Sequence, residues 1–195
     1  MLGHTCVGVD YSPASVGYAR EQAARSQAAR EGLDCRYILG DIREADYGTG
    51  YDLVMQIYGD KLYMHQFKIN GKAAFDGDVW QWHQDYGTWK NDDLMPESRC
   101  MNVAIFLDDV NEYNGPLMFI PGSHKKGVVE AKHDLTTTSY PLWTVDNNLI
   151  TQLVDRAGGK EGGIVSPTGP AGSMILGHSG VVHASGSNRS PWNRV

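Results

Sequence analysis

The stretch WQWHQDYGTW, residues 80–89, decides how the rest of the chain is read. Its first half alternates in the manner of a strand, and residues i and i+2 of an extended strand point to the same face. On a strand from Val79 to Tyr86, His83 and Asp85 turn an imidazole and a carboxylate to one side, where both can meet one metal ion. A second histidine would complete a two-histidine, one-carboxylate set, the arrangement that leaves coordination positions open on non-haem Fe(II). His183 is the candidate, and His178, close to the same last strands, is its competitor. The same alternation turns Trp82 to the opposite face as a core residue and leaves Trp80 and Trp89 as candidate pocket walls.

Outward from this stretch the chain reads as many short strands separated by Gly, Pro and Ser turns. Upstream, Lys61 to Asn70 alternates, with Tyr63, His65, Phe67 and Ile69 on one face and Leu62, Met64, Gln66, Lys68 and Asn70 on the other. Downstream, Lys90 to Pro96 reads as a loop, Arg99 to Leu107 and Pro116 to Pro121 as strands, and Gly122 to Lys125 as a turn. Val128 to Thr144 is polar and weakly patterned, so an irregular, lid-like loop is expected there. Asn147 to Ala157 has helical periodicity through Leu149, Ile150, Leu153 and Val154, closed by Gly158 and Gly159. Residues 164–165, 172–176 and 181–183 supply the last strands. Strands at this spacing argue a mainly β fold, a double-stranded β-helix or jelly roll of the cupin kind. Of the remaining histidines, His124 reads as a turn residue, His65 as packed in the sheet, and His4 and His133 as solvent residues.

The first sixty residues have a different character. Cys6 to Asp10 is a strand ending in an acid, Ser12 and Pro13 open a helix from about Ala14 to Glu31, and Gly32 stops it. Cys35 to Asp41 and Tyr51 to Tyr58 read as two further strands, so an α/β, Rossmann-like segment is expected over 1–58 and a β domain over 59–195.

Composition bounds the partners. The 195 residues carry a formal net charge of −6 and an apolar fraction of 41%, with a pI near 5.6. That allows a substantial core and offers no basic patch for nucleic acid. Cys6, Cys35 and Cys100 form no CxxC pair, which argues against both a disulfide framework and a zinc ribbon. With neither a signal-type N-terminus nor a long apolar run, a cytoplasmic protein free of the membrane is expected.

Five pieces together resemble the phytanoyl-CoA dioxygenase family of Fe(II)/2-oxoglutarate oxygenases, in its ectoine hydroxylase-like branch. They are HQFKIN at 65–70, WQWHQDYGTW at 80–89, NGPLMFIPGSHK at 114–125, PAGSMIL at 170–176 and HASGSNRSPWNR at 183–194. The resemblance implies that His83, Asp85 and His183 hold Fe(II) and that Arg194, eleven positions after His183, pairs with the distal carboxylate of 2-oxoglutarate. It places Lys68, Asn70, Trp80 and Ser185 around that cosubstrate, and Gln66 and Trp89 toward a small-molecule substrate. The implied reaction consumes dioxygen, hydroxylates a C–H bond and releases succinate and carbon dioxide. Gln84, Gly87 and Lys90 stand where the ectoine enzymes carry Ser, Glu and His, so ectoine is not assigned as the substrate. In the family the chain continues after the arginine with another strand. The domain is therefore expected to be truncated at its C-terminus, with impaired turnover and homodimer formation through exposed sheet edges as consequences.

GVDYSPASVGYAREQA, YILGDIRE and YDLVM, all within residues 1–58, resemble the middle of a class I S-adenosylmethionine-dependent methyltransferase. The resemblance implies ribose and adenine contacts for Asp10 and Asp41. The opening strand and Gly-rich loop of that family are missing, so no cofactor binding is expected.

Overall fold

The computed structural model describes residues 5–10, 34–39, 54–138, 140–159 and 162–195, the two earliest segments by their backbone. The chain divides into two compact units, Met1–Asn70 and Gly71–Val195.

In the first unit, β1 (Thr5–Asp10) and β2 (Asp34–Leu39) pair in parallel, Thr5 opposite Asp34 through Asp10 opposite Leu39. The helix expected between them, and Asp41, lie outside the described residues. The strand expected over 51–58 is not formed in its described part, because 54–58 is helical. Gly59 ends that turn, with φ at +64° and its N–H donating to the Met55 carbonyl at 2.7 Å. Residues 61–70 are not a strand either and carry no regular secondary structure. Their alternating face is not apolar-in: Tyr63 is 71% exposed and Phe67 39%, so burial does not reward the extended pattern.

The second unit is built on two antiparallel sheets. The larger has the order β5–β9–β3–β7–β6, with β3 at Trp80–His83, β5 at Leu117–Phe119, β6 at Lys132–Asp134, β7 at Leu142–Thr144 and β9 at His183–Ser185. The smaller pairs β4 (Met101–Ile105) with β8 (Met174–His178), Met101 opposite His178 through Ile105 opposite Met174. The mainly β architecture expected from the strand spacing is thus present, and its sheets are antiparallel. Part of the segment expected to be an irregular loop over 128–144 is instead the β6–β7 hairpin, which extends the larger sheet through β3. Asp134 organises its turn by accepting the N–H groups of Thr136 and Thr137, each at 2.9 Å.

Two helices complete the unit: α1 (Asp85–Asp92) directly after β3, and α2 (Asn147–Arg156) after β7. The N-cap of α2 is Asp146, whose Oδ1 accepts the Asn148 N–H at 2.9 Å. The apolar stripe of α2 meets the sheet in a core of Ile120, Val145, Ile150, Leu153 and Val182, with Trp82, Leu149 and Val154 packed on it. Trp82 is therefore the core residue its strand position predicts. Each fully buried aliphatic side chain of this size contributes roughly 1.5–3 kcal/mol. Since Ile120 accepts no water contact and its N–H donates to the Val182 carbonyl at 3.0 Å, this core fixes β9 just before His183.

Candidate metal centre

β3 ends at His83, two residues earlier than a strand carrying both His83 and Asp85 requires. Gln84 is extended (φ −116°, ψ 128°) and caps α1, and Asp85 is the first helical residue. The strand-alternation argument for the HxD pair therefore fails, and a strand-to-helix turn does the same work. A carboxylate at a helix N-terminus is favoured by the exposed N–H groups and the helix dipole. The turn is held by Gln84, buried, whose amide nitrogen donates to the carbonyls of Gly127 (2.9 Å) and Gly180 (2.6 Å) and whose Oε1 accepts the Val129 N–H at 2.9 Å. Gln84 is thus a clasp joining three chain segments.

His83 of β3 lies opposite His183 of β9 in register, their rings 4.3 Å apart between centroids. Asp85 reaches both, with Oδ1 3.5 Å from His83 Nε2 and Oδ2 3.5 Å from His183 Nε2. One ligand atom from each residue fits within 4.8 Å of the others, the one such trio among the described residues. His178 is not part of it. Its Nδ1 accepts the Gly180 N–H at 3.0 Å, and its ring faces His124, in the turn Ser123–Lys126, at 5.3 Å.

The two histidines are prepared identically. His83 Nδ1 lies 2.6 Å from the Gln81 carbonyl and His183 Nδ1 lies 3.0 Å from the Val181 carbonyl. A carbonyl only accepts, so each Nδ1 carries a proton and each ring turns its Nε2 toward Asp85, where the neutral form of the imidazole offers a lone pair. Burial, and then the neighbouring His83, push the pKa of His183 below the ordinary histidine value, against the opposing pull of Asp85 and the bond to Val181. Burial alone would raise the Asp85 carboxyl. The pull of His183, the contact with His83 and the amide of Asn102 together hold it well below the usual carboxylate range. Two imidazole nitrogens and one carboxylate gathered within 4.8 Å of one another are a donor set that fits a divalent metal.

Next to the trio lies a pair of cations. Arg194 forms an antiparallel bridge with Lys72 through both backbone groups, at 2.7 and 2.9 Å. Its guanidinium donates through Nε to the Asn114 carbonyl (3.2 Å) and through Nη2 to the Gly115 carbonyl (2.5 Å), which leaves three of its five N–H donors. Lys72, 2% exposed, was not anticipated as a site residue. Its ammonium donates to Ser185 Oγ (3.0 Å), to the Gly186 carbonyl (2.9 Å) and to the Asp78 carbonyl. Burial, then repulsion from Arg194, lower its pKa from 10.5 to about 8, with Asp78 opposing. Extending the alternation of Gln66, Lys68 and Asn70 by one more step would have reached it. Ser185 accepts from Lys72 and keeps its own hydroxyl proton to donate. Trp80, opposite Ser185 in register, packs edge-on against Tyr140 at 4.8 Å. Trp89 is buried on α1. Gln66, Lys68 and Asn70 belong to the first unit.

Residues 22–195 match the phytanoyl-CoA dioxygenase (PhyH) family. The chain belongs to the phytanoyl-CoA dioxygenase family. It is 37% identical over 145 residues to the ectoine dioxygenase of Bordetella bronchiseptica, covering 72% of this chain and 46% of that protein. To the L-proline trans-4-hydroxylase of Streptomyces griseoviridis it is 37% identical over 147 residues, covering 73% of this chain and 55% of that protein. The chain thus spans about half the length of the curated relatives it matches. The crystal structure of EctD from S. alaskensis with 2-oxoglutarate and 5-hydroxyectoine superposes with a TM-score of 0.64 at 29% identity, covering 94% of this chain and 66% of that one. The same enzyme with bound Fe superposes with a TM-score of 0.60 at 27% identity, over 94% and 66% of the two chains. These likenesses place the two antiparallel sheets in the jelly-roll, cupin-like class. PhyH membership runs into the stretch that resembles a methyltransferase, and none of the comparisons supports that second resemblance. No described helix is long and apolar enough to cross a membrane.

Proposed function

We propose that the chain is the catalytic core of an Fe(II)- and 2-oxoglutarate-dependent oxygenase that hydroxylates a C–H bond of a small molecule and releases succinate and carbon dioxide. The observation that carries the reading is the convergence of His83, Asp85 and His183, with both imidazole lone pairs already turned to the spot the carboxylate faces. When bound there, iron supplies the electrons and open coordination positions with which dioxygen is activated.

The chain's own residues then divide the remaining work. Arg194 offers its free guanidinium donors to the distal carboxylate of 2-oxoglutarate, Lys72 adds fixed positive charge beside it, and Ser185 donates its hydroxyl proton. The three protons of Lys72 are already taken within the fold, so its part is that of a charge rather than a fork. Within the second unit, Trp80 walls the cosubstrate and Trp89 faces the substrate. The relatives act on ectoine and on L-proline.

Anaerobic addition of Fe(II) and 2-oxoglutarate is expected to give a visible charge-transfer band that His83→Ala abolishes. Absence of the band, or its survival in H83A, refutes the assignment. Succinate formed without substrate reports iron, cosubstrate and oxygen handling together. For residues 1–58 the parallel β1–β2 pair supports an α/β segment of its own. Calorimetry with S-adenosylmethionine tests the cofactor its sequence suggests, and no heat of binding is expected.

A further inference from the structure

The smaller sheet reaches the trio through a hydrogen bond to Asp85. Asn102 of β4 donates through Nδ2 to Oδ2 of Asp85 at 2.6 Å, a short, charge-assisted bond. It is the single amide in the apolar strand MNVAI, and its register partner is Gly177, which has no side chain to compete for the space. We propose that Asn102 is a positioning residue for the metal centre: by holding Oδ2 it leaves Oδ1 as the oxygen that Asp85 presents to an ion. The inference rests on the iron reading above and deepens it.

The argument is one of donor counting. An ionised carboxylate can turn both oxygens to a metal unless something fixes its plane, and a bond from a second sheet element does so. Two imidazoles and one oxygen take three of the six positions of an octahedral ion. The other three suffice for a two-toothed cosubstrate and dioxygen. A carboxylate binding through both oxygens would leave two, too few for both. Asp85 itself is held by its backbone at the start of α1, which sets where the carboxyl group sits but not how its plane is turned. Among the described contacts of Asp85, the Asn102 amide is the one hydrogen bond from outside the trio.

The test compares the full chain with Asn102→Ala, Asn102→Leu and Asn102→Gln. It measures the Fe(II) dissociation constant anaerobically and the charge-transfer band on adding 2-oxoglutarate at saturating Fe(II), with circular dichroism to check folding. Leu fills the volume of Asn without its donor, and carries the test if Ala fails to fold. Loss of the donor is expected to raise the Fe(II) dissociation constant about 10- to 100-fold. It is also expected to weaken or shift the band in both N102A and N102L, with partial recovery in N102Q, which keeps an amide. Wild-type affinity and an unchanged band in both donor-free variants overturn the role of Asn102 alone. Failure of the native chain to take up Fe(II), or H83A binding as tightly as native, overturns the metal reading and this inference with it.

Discussion

Raising the pH from 7 to 9 is expected to weaken 2-oxoglutarate binding about tenfold, and Lys72 is the reason. Its pKa stands at about 8 in the chain without cosubstrate, lowered by burial and by Arg194. The cationic form is the one that a carboxylate favours, so binding takes up a proton wherever free Lys72 has lost one. A group of pKa about 8 is roughly 90% charged at pH 7 and 10% at pH 9, so the dissociation constant rises by about a factor of ten, or ~1.4 kcal/mol. The same shift acts on stability with a definite sign. Between pH 8 and 10.5 the unfolded chain keeps a proton the folded chain has shed, so the contribution of Lys72 to stability rises with pH across that window and is flat below it. Calorimetric titration of the metal-loaded chain under argon at pH 7, 8 and 9 reads the first effect. In Lys72→Met the affinity at pH 7 should fall about 10- to 100-fold, in the range of hydrogen bonds and charge pairs to ionised groups, and become independent of pH. An equal dissociation constant at pH 7 and 9 in the native chain, or an undiminished tenfold change in K72M, refutes the reasoning.

Two further perturbations probe the frame around the site. Ile120→Ala empties the centre of the sheet–α2 core, where the side chain is 0% exposed, and should cost about 2–5 kcal/mol in urea unfolding. A loss under about 1 kcal/mol would mean that this core does not anchor β9. Gly115→Ala puts a methyl group at a φ of +73°, 2.8 Å from the Gly186 carbonyl and 3.4 Å from Lys72 Cδ, on the residue whose carbonyl holds Arg194. Cosubstrate affinity should drop together with melting temperature, and unchanged 2-oxoglutarate binding in a folded G115A would separate Arg194 from that pocket.

How much of this was legible beforehand varies with the kind of signal. His83 was legible from the HxD spacing and His183 from its place in the last strands with an arginine eleven positions on, and sheet pairing sets the two opposite each other. The helix α2 and the core role of Trp82 were equally open to periodicity. The structure brings the members of the HxD pair together, but by a geometry other than strand alternation, because α1 has no apolar stripe: DYGTWKND owes its helicity to the Gln84 clasp and the burial of Tyr86 and Trp89, which are tertiary facts. Its end is equally hidden, with Leu94 in the left-handed region at φ +56° where a glycine would have announced the stop. β6 and β7, three residues each, are too short to show a period of two. Asn102 could have been suspected as a lone amide in an apolar strand, but its partner belongs to another sheet and no local pattern names it.

The matched bonds from His83 and His183 to the carbonyls of residues 81 and 181 carry a consequence for variation within the family. Both imidazoles take their tautomer from the main chain, and a main-chain oxygen survives every amino-acid replacement. Side chains at positions 81 and 181 can therefore be exchanged to reshape what surrounds the centre while the lone pairs stay aimed. A scaffold whose ligands are set by peptide groups can be retuned for new small molecules one wall at a time.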